Sequence, residues 1–230
     1  MGQQVENSAP ILIAFMTASS KTTLLVALSE GFVFPRIFAA KMDRIIGGLA
    51  DAEVVIVQDD RLIAQNYFGE RGVPTRVERV GTRMAAKSLV TTCTHVVVFW
   101  GGSDLADIIY FARLLQKHLR IVPLRITTVR NKKNNEEFDI YIGRGTRWGN
   151  PYEIGRGPEG PSREEVIRKY KEHFDAEILS DPERRSALLS LRGYRLGCFC
   201  APLPCHGDVI AAYLNAYVDQ EEAAGDSGQE

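Results

Sequence analysis

The chain has 230 residues, 45% of them hydrophobic and 25% charged, with a formal net charge of -1. That composition excludes collagen-like, coiled-coil and disordered chains, and no apolar run approaches the roughly 20 residues of a membrane-spanning helix. Four cysteines do not make a disulfide scaffold, because a chain this long buries an adequate core without one.

The polar start, Met1 to Pro10, lacks the basic segment of a secretory leader, so a cytoplasmic chain is expected. The run Ile11 to Phe15 reads as a buried strand, followed by Val54 to Val57, Thr75 to Val80, His95 to Trp100 and Ile121 to Leu124. Helical spacing fills the gaps at Met42 to Leu49, Leu62 to Phe68, Thr82 to Val90 and Asp104 to Leu119. Near-continuous apolar strands separated by helices imply a parallel sheet covered on both faces. The fold class is therefore α/β, with a Rossmann-like domain over 10–127.

Seven polar residues, Asn131 to Glu137, then interrupt the pattern as a linker or exposed hairpin. The second domain, 128–218, is expected to be a smaller α+β unit. Its elements are a strand at Phe138 to Ile142, a Gly/Arg/Pro-rich stretch over 143–161, and a helix to Leu179 opened by the Ser162/Glu165 capping box. A strand at Tyr194 to Cys200 and a final helix at Asp208 to Tyr217 follow. The segment 219–230 is expected to be disordered. It carries five acidic residues (Asp219, Glu221, Glu222, Asp226 and Glu230) and no basic one. The remainder is thus mildly basic, a balance compatible with a nucleic-acid partner.

Three segments carry candidate chemistry. Gly101, Gly102, Ser103, Asp104 and Asp107 follow the strand His95 to Trp100. In open α/β sheets ligands bind beyond the carboxyl ends of the strands, where a helix start offers free N–H groups. The same residues also read as a plain strand-to-helix turn capped by Ser103. In the second segment, Arg144, Thr146, Arg147, Trp148 and Asn150 stand among three glycines, Gly143, Gly145 and Gly149. Guanidinium and backbone groups there can face an anion, with Trp148 and Tyr141 as stacking faces. The third runs from Cys198 and Cys200 to Cys205, His206 and Asp208. Cys198, Cys200, Cys205 and His206 offer four soft ligands for a structural zinc. Two adjacent ligands in so short a span crowd a tetrahedral site, however, so the expectation is no cofactor. His206 or Asp208 contacts substrate in the alternative reading.

The stretch Gly81 to Met84, then Thr94 to Ser103, Ala106, Asp107 and Ala112 resembles the SLOG superfamily over roughly residues 10–125. That superfamily comprises Rossmann-like domains that bind nucleotides or cleave N-glycosidic bonds. The resemblance implies roles for Arg83 and for an acidic residue, Asp107 or Asp104, although the usual Gly-Thr inside the turn is absent. The segments GRGTRWGNP and CFCAPLPCHGD resemble a domain-of-unknown-function family of phages and bacteria over about 128–217. The combination is similar to antiphage DNA glycosylases that excise glucosylated hydroxymethylcytosine.

These readings together lead us to expect a hydrolase that removes a modified base from DNA. Asp107 or Asp104 would be the carboxylate that stabilises the cationic sugar. Asn150 would contact the base, and Arg144 and Arg147 flanking phosphates, with Trp148 stacking on an extruded nucleotide. A nucleotide sensor without turnover and a nucleoside deoxyribosyltransferase are the alternatives. All depend on the acidic residues of the front half and the arginine loop of the rear half meeting at one nucleotide.

Overall fold

The computed structural model describes residues 22–47, 49, 52–102, 104–155 and 159–226. The expected strand Ile11 to Phe15 lies outside them, as does Ser103. The front half runs β1 (Thr23–Leu28), α1 (Pro35–Ile46), β2 (Glu53–Val57), α2 (Ile63–Glu70), β3 (Thr75–Glu78), α3 (Arg83–Thr92), β4 (His95–Trp100), α4 (Ala106–Leu114) and β5 (His118–Pro123). The strands form one parallel sheet in the order β3-β2-β1-β4-β5. Strand alternation distributes their side chains between two cores. Leu24, Val26, Leu28, Val54, Ile56, Val97 and Phe99 face one with Phe34, Phe38 and Phe68. Leu25, Ala27, Val55, Val57, Val96 and Val98 face the other with Ala86, Val90, Ile108 and Phe111. The α/β class stands, with helices on both faces.

The central strand β1 is Thr23–Leu28, an apolar run that the sequence reading passed over. The helix expected at 42–49 is α1, and it begins earlier because Pro35 at its first turn supplies a preset φ and needs no hydrogen bond.

The rear half contains β6 (Thr128–Asn131), a 3-10 turn (Lys132–Asn134), β7 (Ile140–Tyr141), α5 (Arg163–His173) continued by a π-helical turn (Phe174–Leu179), α6 (Pro182–Leu189), β8 (Arg195–Cys198) and α7 (His206–Asp226). Its sheet has the order β6-β8-β7, and both pairings are parallel. With α5, α6 and α7 this small sheet makes a second, smaller layer, as expected from the sequence. The polar run Asn131 to Glu137 becomes a tight link between β6 and β7, closed by the Glu136 carboxylate accepting from Asn131 N–H at 2.9 Å.

The acidic segment is corrected as far as Asp226. Instead of lying disordered, residues 219–226 continue α7. The cause is Asp219, a buried carboxylate that accepts from Ile37 N–H at 2.8 Å and Arg36 N–H at 3.2 Å. Phe34 has no side chain able to cap α1, so Asp219 satisfies those orphan donors from across the molecule. Helix α7 thereby joins both halves: Ile210 and Leu214 pack in the rear core and Val218 in the front one. Asn215 fixes the crossover segment, accepting from Thr127 N–H at 2.9 Å and donating to the Thr127 carbonyl at 3.0 Å.

Candidate functional site

The strand order reverses between β1 and β4, the position where open parallel sheets leave a crevice. Over it the rear half forms a second wall. The resulting cleft has a volume of about 850 Å³, within the range of small-molecule sites. The sheet contributes Ser29, Glu30, Gln58, Asp60 and Arg61, and the rear half Thr128, Arg130, Glu137, Asp139 and Arg195.

The floor is a hydrogen-bonded cluster. Asp104 accepts from Ser29 Oγ at 2.6 Å, from Glu30 N–H at 2.7 Å and from Gln58 Nε2 at 3.3 Å. Ser29 Oγ in turn accepts from Gly101 N–H at 2.6 Å. Gly101 sits so close to Ile126 that a Cβ would lie 2.9 Å from its Cδ1, so a side chain there would require Ile126 to shift. Gln58, just after β2, and Leu62 and Leu105, which precede α2 and α4, hold positive φ angles near 60°, a strained state for side chains of this size. Asp59 is buried and caps α2, accepting from Ile63 N–H at 2.8 Å and Gln65 N–H at 2.9 Å.

Several polar groups of the cleft are left over. Glu30, Asp60, Arg61 and Arg130 have no side-chain partner among the described residues. Thr128 Oγ1 is buried without a hydrogen-bond partner among them, an uncommon state for a buried polar atom. Asp139 and Glu137 are paired with Arg195, at 2.8 Å and 3.0 Å. That guanidinium holds the Asp139 carboxyl well below the usual carboxylate range, at about 2.

The other expected residues fall into two further cavities. Arg83 donates to Asp107 at 2.8 Å and stacks on Tyr110, its guanidinium carbon 4.7 Å from the ring centroid. Both line a cavity of about 330 Å³ with Asp104 and Gln58. Arg83, Asp107 and Asp104 are therefore brought together on the sheet edge. Arg144 and Asn150 instead border a rear-half cavity of about 360 Å³ with Tyr141, Arg163, Phe199, the three cysteines and His206. Asp104 and Asp107 thus line the front cavity and Arg144 and Asn150 the rear one, while Glu30 and Asp60 share the cleft with Arg130 and Arg195.

That loop is largely turned on itself. Thr146 Oγ1 donates to the Gly143 carbonyl at 2.9 Å, Asn150 Oδ1 accepts from Tyr152 N–H at 2.8 Å, and Arg144 pairs with Glu153. Gly149 lets the turn close, since a Cβ would stand 2.7 Å from the Gly143 carbonyl oxygen. Arg147 is exposed and lies over Trp148, its guanidinium carbon 5.3 Å from the ring centroid. Trp148 is corrected from stacking platform to core residue: it is buried beside Tyr170 and Leu196, and its carbonyl accepts from Tyr170 Oη at 2.9 Å.

His206 and Asp208 also hold the fold. Buried His206 donates from Nε2 to the Ile142 carbonyl at 2.9 Å and packs edge-on against Tyr170. Asp208 accepts from Cys205 N–H at 2.7 Å at the start of α7. The thiols of Cys198, Cys200 and Cys205 lie within 4.8 Å of one another. Burial and the neighbouring sulfur push Cys200 and Cys205 up, while hydrogen bonds from Cys205 and the Cys200 N–H bring Cys198 down to about 5. His95 and His118, on adjacent strands, stack with ring centroids 4.6 Å apart.

The candidate residues missed from sequence are those of the cleft. Ser29 and Glu30 follow β1, and recognising that strand would have exposed them by the carboxyl-end rule. Nothing in the sequence signals that Arg130 and Arg195, on adjacent strands of the second sheet, face the same opening.

A family model described as "Domain of unknown function (DUF4326)" matches residues 126–216. The chain is also similar to the "Uncharacterized 12.4 kDa protein in nrdA-td intergenic region" of Enterobacteria phage T4. The two are 44% identical over 91 residues, 40% of this chain and 80% of the phage protein. The chain belongs to the DUF4326 family. Its DUF4326 domain coincides with the rear half and contains the arginine loop, the cysteines and the rear wall of the cleft. The five-stranded half lies outside the match. No solved structure matches the chain. No helix among the described residues is long and apolar enough to cross a membrane.

Proposed function

We propose that the chain binds a nucleotide in the cleft between its halves and hydrolyses its N-glycosidic bond, with a modified base in DNA as substrate. The observation that carries this reading is the set of unspent groups in the cleft: Glu30, Asp60, Arg61, Arg130 and the buried Thr128 hydroxyl. Two carboxylates and two guanidinium groups lining one cleft suit a substrate that is anionic at its phosphates and cationic at its sugar in the transition state.

Cleavage adds water across the bond. The water oxygen bonds to C1′, the base departs with the electron pair of the C1′–N bond, and one proton passes from water to the departing base. A carboxylate beside C1′ stabilises the cationic sugar and accepts the water proton on its way. We assign this role to Glu30, which lines the cleft and whose backbone N–H donates to Asp104. Asp104 is then a positioning residue, its oxygens already engaged by three donors. Arg61 and Arg130 take flanking phosphates. In duplex DNA the nucleotide leaves the stack before it enters.

The test is alkali-revealed strand breakage of phage-modified DNA. Glu30→Gln is expected to lower abasic-site formation by about 100-fold or more while DNA binding persists. Full activity in the Glu30→Gln/Asp60→Asn double variant would overturn the assignment. A sensor without turnover is the second reading, favoured by the commitment of Asp59, Asp104 and Asp139 to structural bonds. Stoichiometric binding by the unmodified chain with no strand breaks would select it.

A further inference from the structure

The rear-half cavity contains a cluster that the proposed reaction does not use. Cys198 ends β8, and the turn after it doubles back through a Leu203 N–H to Cys200 carbonyl bond of 3.0 Å. Cys205, just before α7, is thereby returned to the end of the strand. The Cys198 and Cys205 sulfurs are 3.7 Å apart, and the three sulfurs span no more than 4.8 Å. Tetrahedral zinc with Zn–S bonds of about 2.3 Å sets its sulfurs about 3.8 Å apart, so only Cys200 has to approach.

Two neighbours direct positive charge or dipole at the cluster. Cys205 Sγ accepts from Gly207 N–H at 3.3 Å at the positive end of the long helix α7. Arg163 lines the same cavity as Cys200. Asp208 opposes them, but its carboxylate is occupied by Cys205 N–H. His206 bonds the Ile142 carbonyl through Nε2, and neither of its ring nitrogens joins the group of ligand atoms that lie within 4.8 Å of one another. All three cysteines border the cavity that holds Arg144, Asn150 and Arg163.

We propose that Cys198, Cys200 and Cys205 bind one zinc ion as a three-thiolate site whose fourth position opens into this cavity. On binding, the thiols release their protons to solvent and three sulfur–metal bonds form, with no change of oxidation state. An open fourth position distinguishes such a centre from a closed structural one, and the arginines lining the cavity would draw an anionic ligand to it.

The experiment uses the full chain, purified under reducing conditions and measured for metal content. It is then stripped and titrated with zinc and with cobalt(II). One equivalent of zinc is expected, and cobalt should give sulfur-to-metal charge transfer with ligand-field bands of tetrahedral intensity. Cys200→Ser, the half-buried position, should keep the wild-type circular dichroism spectrum yet lose more affinity than the about 100-fold typical of removing an outer-shell partner. A folded wild-type chain that takes up neither metal would overturn the proposal. An iron–sulfur chromophore, or Cys200→Ser binding as tightly as wild type, would do so as well. None of these outcomes depends on the reaction proposed for the cleft.

Discussion

The two cavities that border the DUF4326 domain differ in what their walls leave free. In the cleft, carboxylates and guanidinium groups line one opening, and a buried hydroxyl stands without a partner among the described residues. In the rear cavity the polar groups of the arginine loop close their own turn, and what converges is sulfur. Charge in a loop is therefore a poor guide to ligand contact until the turn's own hydrogen bonds are subtracted. The DUF4326 match contains the sulfur cavity whole but only one wall of the cleft. An activity of the cleft accordingly requires the five-stranded half as well.

The largest effect expected from breaking this comparison is on stability. Trp148→Ala should destabilise the chain by about 3–5 kcal/mol, because the ring fills the rear core. A Trp148→Phe variant should recover much of that loss and bind DNA like wild type. A Trp148→Ala chain that melts normally but loses DNA binding would restore the stacking role. Asp219→Ala comes next, with a loss of about 1 kcal/mol as α1 loses its cap, read from denaturant midpoints. No change there would remove the link that α7 makes between the halves.

The smallest effect concerns pH. Burial and the adjacent His118 depress the His95 pKa below its ordinary 6.5, so the folded state favours the neutral ring. Its contribution is complete above that ordinary value and is lost as the pH falls toward the lower folded value. A modest drop in melting temperature below pH 6.5 is expected, and His118→Asn should reduce it. An identical acid profile in His118→Asn would show that the stacked pair contributes nothing.

Much of the front half was legible because buried parallel strands are near-continuous apolar runs. His95 to Trp100 forms β4 over those same residues. Thr23–Leu28 carries the same signal, but the earlier run at Ile11 to Phe15 had been given its place in the order. The rear sheet was harder to read, because β7 has two residues and β6 four, too few for a period to register. The cleft is a product of topology: Ser29, Asp104 and Arg195 are far apart in the chain and meet only when the strand order is known. The three-cysteine cluster was visible as a motif, but linear spacing suggested crowding because it cannot show how the turn at Leu203 folds back.

The most direct test of the central claim, that nucleotide binds between the halves, is the salt dependence of binding to a modified oligonucleotide. Arg61→Ala/Arg130→Ala is compared with Arg144→Ala/Arg147→Ala. The first pair should weaken binding and lower the slope of log K against log salt by about one per arginine, with the second close to wild type. The opposite outcome, a slope lost with Arg144 and Arg147 and kept without Arg61 and Arg130, would place the nucleotide on the arginine loop and contradict the account.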